Sequence, residues 1–277
     1  MKHAEGKFTG AKSTELFYQR WQPAGAPRAA IAIVHGFGEH SGRYPNVVNH
    51  FAPRGYAVYG FDHRGHGRSP GKRGHINAWS EFRDDVRAFL RLVAAQEPHR
   101  PLFLLGHSLG GLIALEYVLH YPEGLRGVIA SSPLLAQPGV SPALLAIAKI
   151  LSRVAPGVTI NTGLDASLIS RDPAVVEAYR KDPLVHGVAT PRFGTEMTAA
   201  QNWTNAHAAD LKLPLLLIVG GEDKLSPPEG GRRFFDAVTF TDKQKLDYAG
   251  AYHETHNDII ASQVMADMER WLEAHLK

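Results

Sequence analysis

The chain of 277 residues is 44% hydrophobic and 21% charged, a composition that suits one large globular domain, or one carrying an insertion, and excludes disordered and collagen-like classes. Its 30 basic and 27 acidic residues leave a net charge of only +3. The basic residues never cluster into a long run and no nucleic-acid-binding motif appears, so no nucleic-acid partner is expected. With no cysteine, disulfides, thiolate catalysis and cysteine-held metals are ruled out.

The N-terminal stretch Met1-Lys2-His3-Ala4-Glu5-Gly6-Lys7 leads into no apolar run of signal-peptide length. No run approaches the roughly 18 residues of a membrane-spanning helix. The expectation is a soluble, cytoplasmic protein whose membrane contact could only be peripheral. Short β-rich apolar runs then alternate with helical segments, the pattern of βαβ units around a mostly parallel sheet. Ala29–Val34 and Ala57–Phe61 read as strands. Trp79, Phe82, Val86, Phe89, Leu90 and Val93 recur at spacings of three and four, one face of a sheet-covering helix from about Asn77 to Gln96. Leu102–Leu105 reads as a strand, Gly111–Tyr121 as a helix and Gly127–Ala130 as a further strand.

Between Leu134 and Trp203 the alternation breaks: this segment has no convincing strand, several prolines and one strongly apolar helix over Pro142–Val154. It reads as an inserted helical cap, residues 134–203, on a core made of residues 1–133 and 204–277; two more sheet-covering helices are the plainer alternative. Strands resume at Leu215–Val219 and Lys245–Tyr248, and Ile259, Ile260, Val264, Met265, Met268, Trp271 and Leu272 mark a closing helix.

Gly106-His107-Ser108-Leu109-Gly110 matches G-x-S-x-G and lies between a predicted strand and a predicted helix. That is the context of a nucleophile elbow, where small flanking residues relieve the crowding around a strained serine at a helix N-terminus. A serine hydroxyl needs an imidazole to take its proton and a carboxylate to orient that imidazole. Asp223, in the loop after Leu215–Val219, is the candidate acid, with Glu222 beside it as competitor. His253, in the loop after Lys245–Tyr248, is the candidate base, with His256 at the expected start of the closing helix as competitor. His107 adjoins the serine, but an elbow aims neighbouring side chains elsewhere. Two N–H groups should hold the oxyanion: that of Leu109, after the nucleophile, and that of Phe37 in the turn His35-Gly36-Phe37-Gly38. No metal or organic cofactor is needed for this chemistry.

Together with His35 to Tyr44, Asp62 to Ser69, Lys181-Asp182-Pro183-Leu184 and Ala251 to His256, these residues resemble the α/β-hydrolase fold, and within it the monoacylglycerol lipase and lysophospholipase branch of serine hydrolases. The resemblance spans nearly the whole chain. It implies a mostly parallel sheet flanked by helices, a small lipid ester as substrate, and a polar head-group site formed by Glu39, Arg43 and His256; a Glu39–Arg43 pair that merely holds the loop is the alternative. Phe37 is bulkier than the residue common at its position and would narrow the acyl pocket. The apolar Leu144, Leu145, Ile147, Ile150, Leu151 and Val154 suggest a lid lining an acyl tunnel and touching lipid aggregates transiently. The reading is a serine ester hydrolase acting on monoacylglycerols. A lysophospholipase or broad carboxylesterase is the alternative within the same chemistry, and a non-catalytic ligand receptor the alternative outside it. Oligomeric state is left open.

Overall fold

The computed structural model describes residues 1–136 and 142–276, with the backbone alone for 142–146. An antiparallel hairpin comes first: β1 (Lys2–Thr9) and β2 (Glu15–Gln22), in a register that sets Phe8 opposite Leu16. Sequence reading did not anticipate it. Then follow β3 (Ala29–Val34), α1 (Pro45–Phe51), β4 (Tyr56–Phe61), α2 (Ser80–Gln96), β5 (Leu102–His107), α3 (Leu109–His120) and β6 (Gly127–Ser131). After β6 the chain makes α4 (Pro142–Val154), β7 (Ile160–Asn161), α5 (Pro173–Lys181), β8 (Val188–Ala189) and α6 (Pro191–Ala206). It closes with β9 (Leu215–Gly220), α7 (Pro228–Ala237), β10 (Lys243–Tyr248) and α8 (Ala261–Ala274).

The main sheet has eight strands in the order β1-β2-β4-β3-β5-β6-β9-β10, all pairs parallel from β4 to β10. β2 joins β4 antiparallel. The inner strands are buried on both faces, which is why each reads as an unbroken apolar run. Alternate residues serve opposite faces. Ala30, Ala32 and Val34 of β3 meet the side covered by α2, α3 and α7, whereas Ile31 and Ile33 meet the side covered by α1 and α8. Trp79, Phe82, Val86, Phe89, Leu90 and Val93 are all buried on the first face, as their spacing predicts. The helix itself starts at Ser80, and ahead of it the Asn77 backbone N–H and side-chain amide both donate to Glu81.

The segment between β6 and β9 adds no strand to the main sheet. It differs from expectation in two respects. Among its described residues it holds a two-residue antiparallel pair, β7 with β8, too short to show in the sequence pattern. The apolar helix, α4, turns Ile147, Ile150 and Val154 to solvent at 52%, 62% and 73% exposure, so these side chains line no tunnel; the side chains of Leu144 and Leu145 lie outside the described residues.

Candidate active site

β5 runs into α3 through Ser108, whose backbone lies at φ 54° and ψ −118°, a region side chains other than glycine avoid. The flanks make this turn possible. A Cβ on Gly106 would stand 2.3 Å from the Gly110 carbonyl oxygen, and one on Gly110 would stand 1.9 Å from that of Val34. The serine therefore projects from the carboxyl edge of the sheet at the head of α3, where the first-turn N–H groups have no intrahelical partner.

Two loops from the same edge meet it. The turn after β10 brings His253 Nε2 to 2.9 Å from Ser108 Oγ, and the turn after β9 brings Asp223 Oδ2 to 2.7 Å from His253 Nδ1. Asp223 is itself held, its Oδ1 accepting the N–H groups of Leu225 and Ser226 at 2.9 Å each. With the carboxylate as acceptor, the imidazole keeps its proton on Nδ1 and offers Nε2 to the serine. Burial alone would drive the His253 pKa down, but the Asp223 charge and hydrogen bond, with Glu254 and Glu39 farther off, raise it above 6.5. Glu222 takes no part in this chain of bonds; its backbone N–H pairs with Ala251 O, and its side chain forms no bond to His253 among the described residues. His107 lies behind, ring against ring with His253 at 4.8 Å, and burial with two neighbouring imidazoles holds it neutral.

The turn after β3 supplies the opposite wall. Gly36 N–H donates to Glu39 Oε1 at 2.6 Å, Ser41 N–H and Oγ both donate to Asp62 Oδ1, and Arg68 N–H donates to Asp62 Oδ2. The Asp62 to Ser69 turn thus carries no reacting group and holds this loop in place. Among the described residues the N–H groups of Phe37 and Leu109 have no hydrogen-bond partner. Gly36 packs so close that a Cβ there would touch Ser108 Cβ at 3.3 Å.

Glu39 and Arg43 do pair, Nη1 to Oε2 at 3.1 Å, but Arg43 spends more of its fork on a residue the sequence reading passed over, Glu254, at 2.6 and 3.0 Å. The guanidinium also lies over the Tyr179 ring, 4.6 Å from its centroid. The unequal sharing sets the two carboxyls apart. Burial, with Glu254 adding repulsion, pushes Glu39 up despite Arg43. Burial also works against Glu254, yet its two-pronged bond to Arg43 takes it below the usual value.

The serine opens into a cavity of about 420 Å³. The paired Glu39, Arg43 and Glu254 form one polar part of its lining, with Thr162, Asp165 and Lys224 as further polar residues; its apolar wall comes from Phe37, Leu134, Leu164, Leu168, Ile169, Phe193, Met197 and Leu225. His256 is not part of that lining. It sits in the 3-10 turn Thr255–Asn257 that precedes α8, 3% exposed, stacked flat on Tyr44 at 4.9 Å and edge-on to His107. The short turn thus sets the His256 ring behind the cavity lining, and Glu254 stands in that lining beside Glu39 and Arg43. Burial depresses the His256 pKa to about 4.

Residues 25–259 match the family described as serine aminopeptidase, S33. The chain is 39% identical over 280 residues to a monoacylglycerol lipase of Mycolicibacterium smegmatis, covering 99% of this chain and 98% of that one. The chain belongs to the monoacylglycerol lipase family. A monoglyceride lipase of Rattus norvegicus is 33% identical over 93% of this chain and 86% of its own. In three dimensions, the monoacylglycerol lipase of Paleococcus ferrophilus superposes with a TM-score of 0.84 at 36% identity, covering 99% of this chain and all of that one. Membership of this family, with its α/β-hydrolase fold, makes the chain a carboxylic ester hydrolase.

Proposed function

We propose that the chain hydrolyses monoacylglycerols through an acyl-enzyme on Ser108, with His253 as base and Asp223 as its orienting acid. The observation that carries this reading is the pair of bonds, 2.9 Å from Ser108 to His253 and 2.7 Å from His253 to Asp223, at the head of an apolar cavity. Ser108 Oγ attacks the ester carbonyl while Nε2 takes its proton. The Phe37 and Leu109 N–H groups hold the oxyanion, a contribution worth about 10² to 10³ in rate per donor. Collapse breaks the ester C–O bond, and Nε2 returns the proton to the departing glycerol oxygen. Water then repeats the two transfers and frees the fatty acid and Ser108. Throughout, the Asp223 carboxylate stabilises the imidazolium formed in each transfer.

The apolar wall suits an acyl chain and the Glu39–Arg43–Glu254 part of the lining suits hydroxyl groups, in keeping with relatives named for monoacylglycerol. Residues 134–203 act as a cap over this cavity in the same reading, and the exposed Ile147, Ile150 and Val154 meet lipid aggregates transiently. None of the described helices is long and apolar enough to cross a membrane.

The test compares initial rates on monoacylglycerols of several chain lengths with diacylglycerol, lysophosphatidylcholine and an aminoacyl p-nitroanilide. Monoacylglycerol should lead, and Ser108→Ala should abolish both turnover and labelling by a fluorophosphonate. Faster turnover of lysophosphatidylcholine or of the anilide overturns the substrate assignment; unchanged activity in Ser108→Ala overturns the mechanism.

A further inference from the structure

The loop that carries the Phe37 N–H is closed on itself where Gly36 N–H donates to Glu39, and it is tied to the turn after β4 where Ser41 donates to Asp62. Between these points it leans on the segment that follows β6. His186 N–H donates to Gly38 O at 2.8 Å, and the approach is so close that a Cβ on Gly38 would stand 2.2 Å from His186 O. The Phe37 ring packs on Phe193 and His186, at 5.2 and 5.6 Å between centroids. His40 Nδ1 accepts the Gly42 N–H at 3.2 Å, so its proton is on Nε2, which donates to Asp182 Oδ2 at 2.8 Å. Asp182 stands just past α5 and is oriented by its own turn, Oδ1 accepting the Leu184 N–H at 2.9 Å. Neither side chain touches the reacting groups.

We propose that Asp182, acting through His40, is a positioning residue that locks the Phe37 N–H into oxyanion-binding geometry only when the segment after β6 is seated on the loop. Seating this segment and completing the oxyanion site are then one event, so an ester that enters while the segment is lifted meets a serine with only the Leu109 donor in place. The inference rests on the serine-ester mechanism above and adds to it a residue that the reaction never contacts. An acceptor fixed on its own turn is what makes the coupling sharp, because a freely rotating carboxylate would follow the loop instead of holding it.

The test uses the full chain, steady-state hydrolysis of a short p-nitrophenyl ester and of a monoacylglycerol, and inhibition by a trifluoromethyl ketone, whose hemiketal oxygen mimics the oxyanion. Asp182→Ala should lower kcat and kcat/KM together by about tenfold or more, leave KM within about twofold, and weaken the ketone by the same factor as kcat. His40→Ala should reproduce this, whereas His40→Gln, whose amide N–H can replace the Nε2 donor, should keep most of the activity. If Asp182→Ala does not fold, the two His40 variants carry the same comparison. A folded Asp182→Ala or His40→Ala that retains kcat and ketone affinity, or that raises KM alone, overturns the proposal. Ser108→Ala is run alongside: if it hydrolyses the esters like the unaltered chain, the serine mechanism fails irrespective of Asp182.

Discussion

Replacing Arg43 by methionine keeps an unbranched apolar stem and removes the charge from between two carboxylates. Arg43 is 9% exposed, and Glu39 and Glu254 are each 4% exposed, so the acids left behind have little access to water. Breaking a buried pair in this way costs about 3–5 kcal/mol. An unfolding entropy of about 2.1 cal/mol/K per residue over 277 residues gives roughly 0.6 kcal/mol/K. The expected loss is thus a fall of about 5–9 °C in Tm. The pH dependence carries the mechanism. In the unaltered chain Glu254 lies below its unfolded pKa and contributes stability above about pH 4.5 that is lost as pH falls through its folded value. Glu39 lies above its unfolded pKa and imposes a penalty that grows as pH rises from the same point. The two oppose each other. Without Arg43 both carboxyls shift upward and both penalties grow with pH, so the gap between Arg43→Met and the unaltered chain should be widest near pH 8 and narrow toward pH 5. Thermal or urea unfolding across that range reads it directly. Adding Glu254→Gln should recover about 2 kcal/mol or more at pH 8, since the cost is the unpaired charge and not the missing contact. A single variant that loses under about 1 kcal/mol at pH 8, or a gap that does not change with pH, refutes the reasoning.

Other outcomes follow from the same geometry. Gly110→Ala places a methyl group 1.9 Å from Val34 O and should cost at least about 3 kcal/mol or prevent folding, at the upper end of overpacking; Gly25→Ala, with nothing within 4 Å, should stay within about 0.5 kcal/mol in the same unfolding assay. Ser108→Gly should be inactive yet more stable by about 1 kcal/mol, because glycine accepts the backbone angles that strain the serine; equal or lower Tm would argue against strain. His253 works as a base only when neutral, and its pKa is raised above 6.5, so kcat/KM should fall tenfold per pH unit on the acid side with a midpoint above 6.5; a midpoint below 6.5 would contradict the dominance of Asp223. The same shift makes the contribution of His253 to stability complete below pH 6.5 and lost as pH rises through its folded pKa.

The inner strands and the elbow were legible in the sequence because burial on both faces and steric crowding leave marks within a few residues: Ala29–Val34 is continuous apolar chain, and Gly106 and Gly110 flank the serine. The β1–β2 hairpin left no such mark, since β1 lies at the rim and buries only Phe8 of its eight residues. α5 and α6 were missed for a related reason: α5 buries only Val176 and Tyr179, and α6, packed against α4 and α3, buries Pro191, Phe193, Ala200, Gln201 and Thr204, too few and too scattered to mark an apolar face. Asp223 and His253 could be picked out by their places after strands, yet the bond between Arg43 and Glu254 joins residues 211 apart, a pairing no local pattern announces. The place of the His256 ring, against Tyr44 and behind the cavity lining, was not legible, because the direction of a side chain in a single 3-10 turn is decided by what it packs against.

The eight-stranded sheet ends in two open rims, β1 on one side and β10 on the other. Both are sown with ionised side chains, Lys2, Glu5 and Lys7 along one and Lys243, Lys245 and Asp247 along the other. A strand from a neighbouring molecule that docked there to prolong the ladder would strip water from ammonium and carboxylate groups and set like charges face to face. Fibrous stacking through the rims is thereby discouraged, and the molecule keeps its unpaired backbone donors and acceptors for solvent.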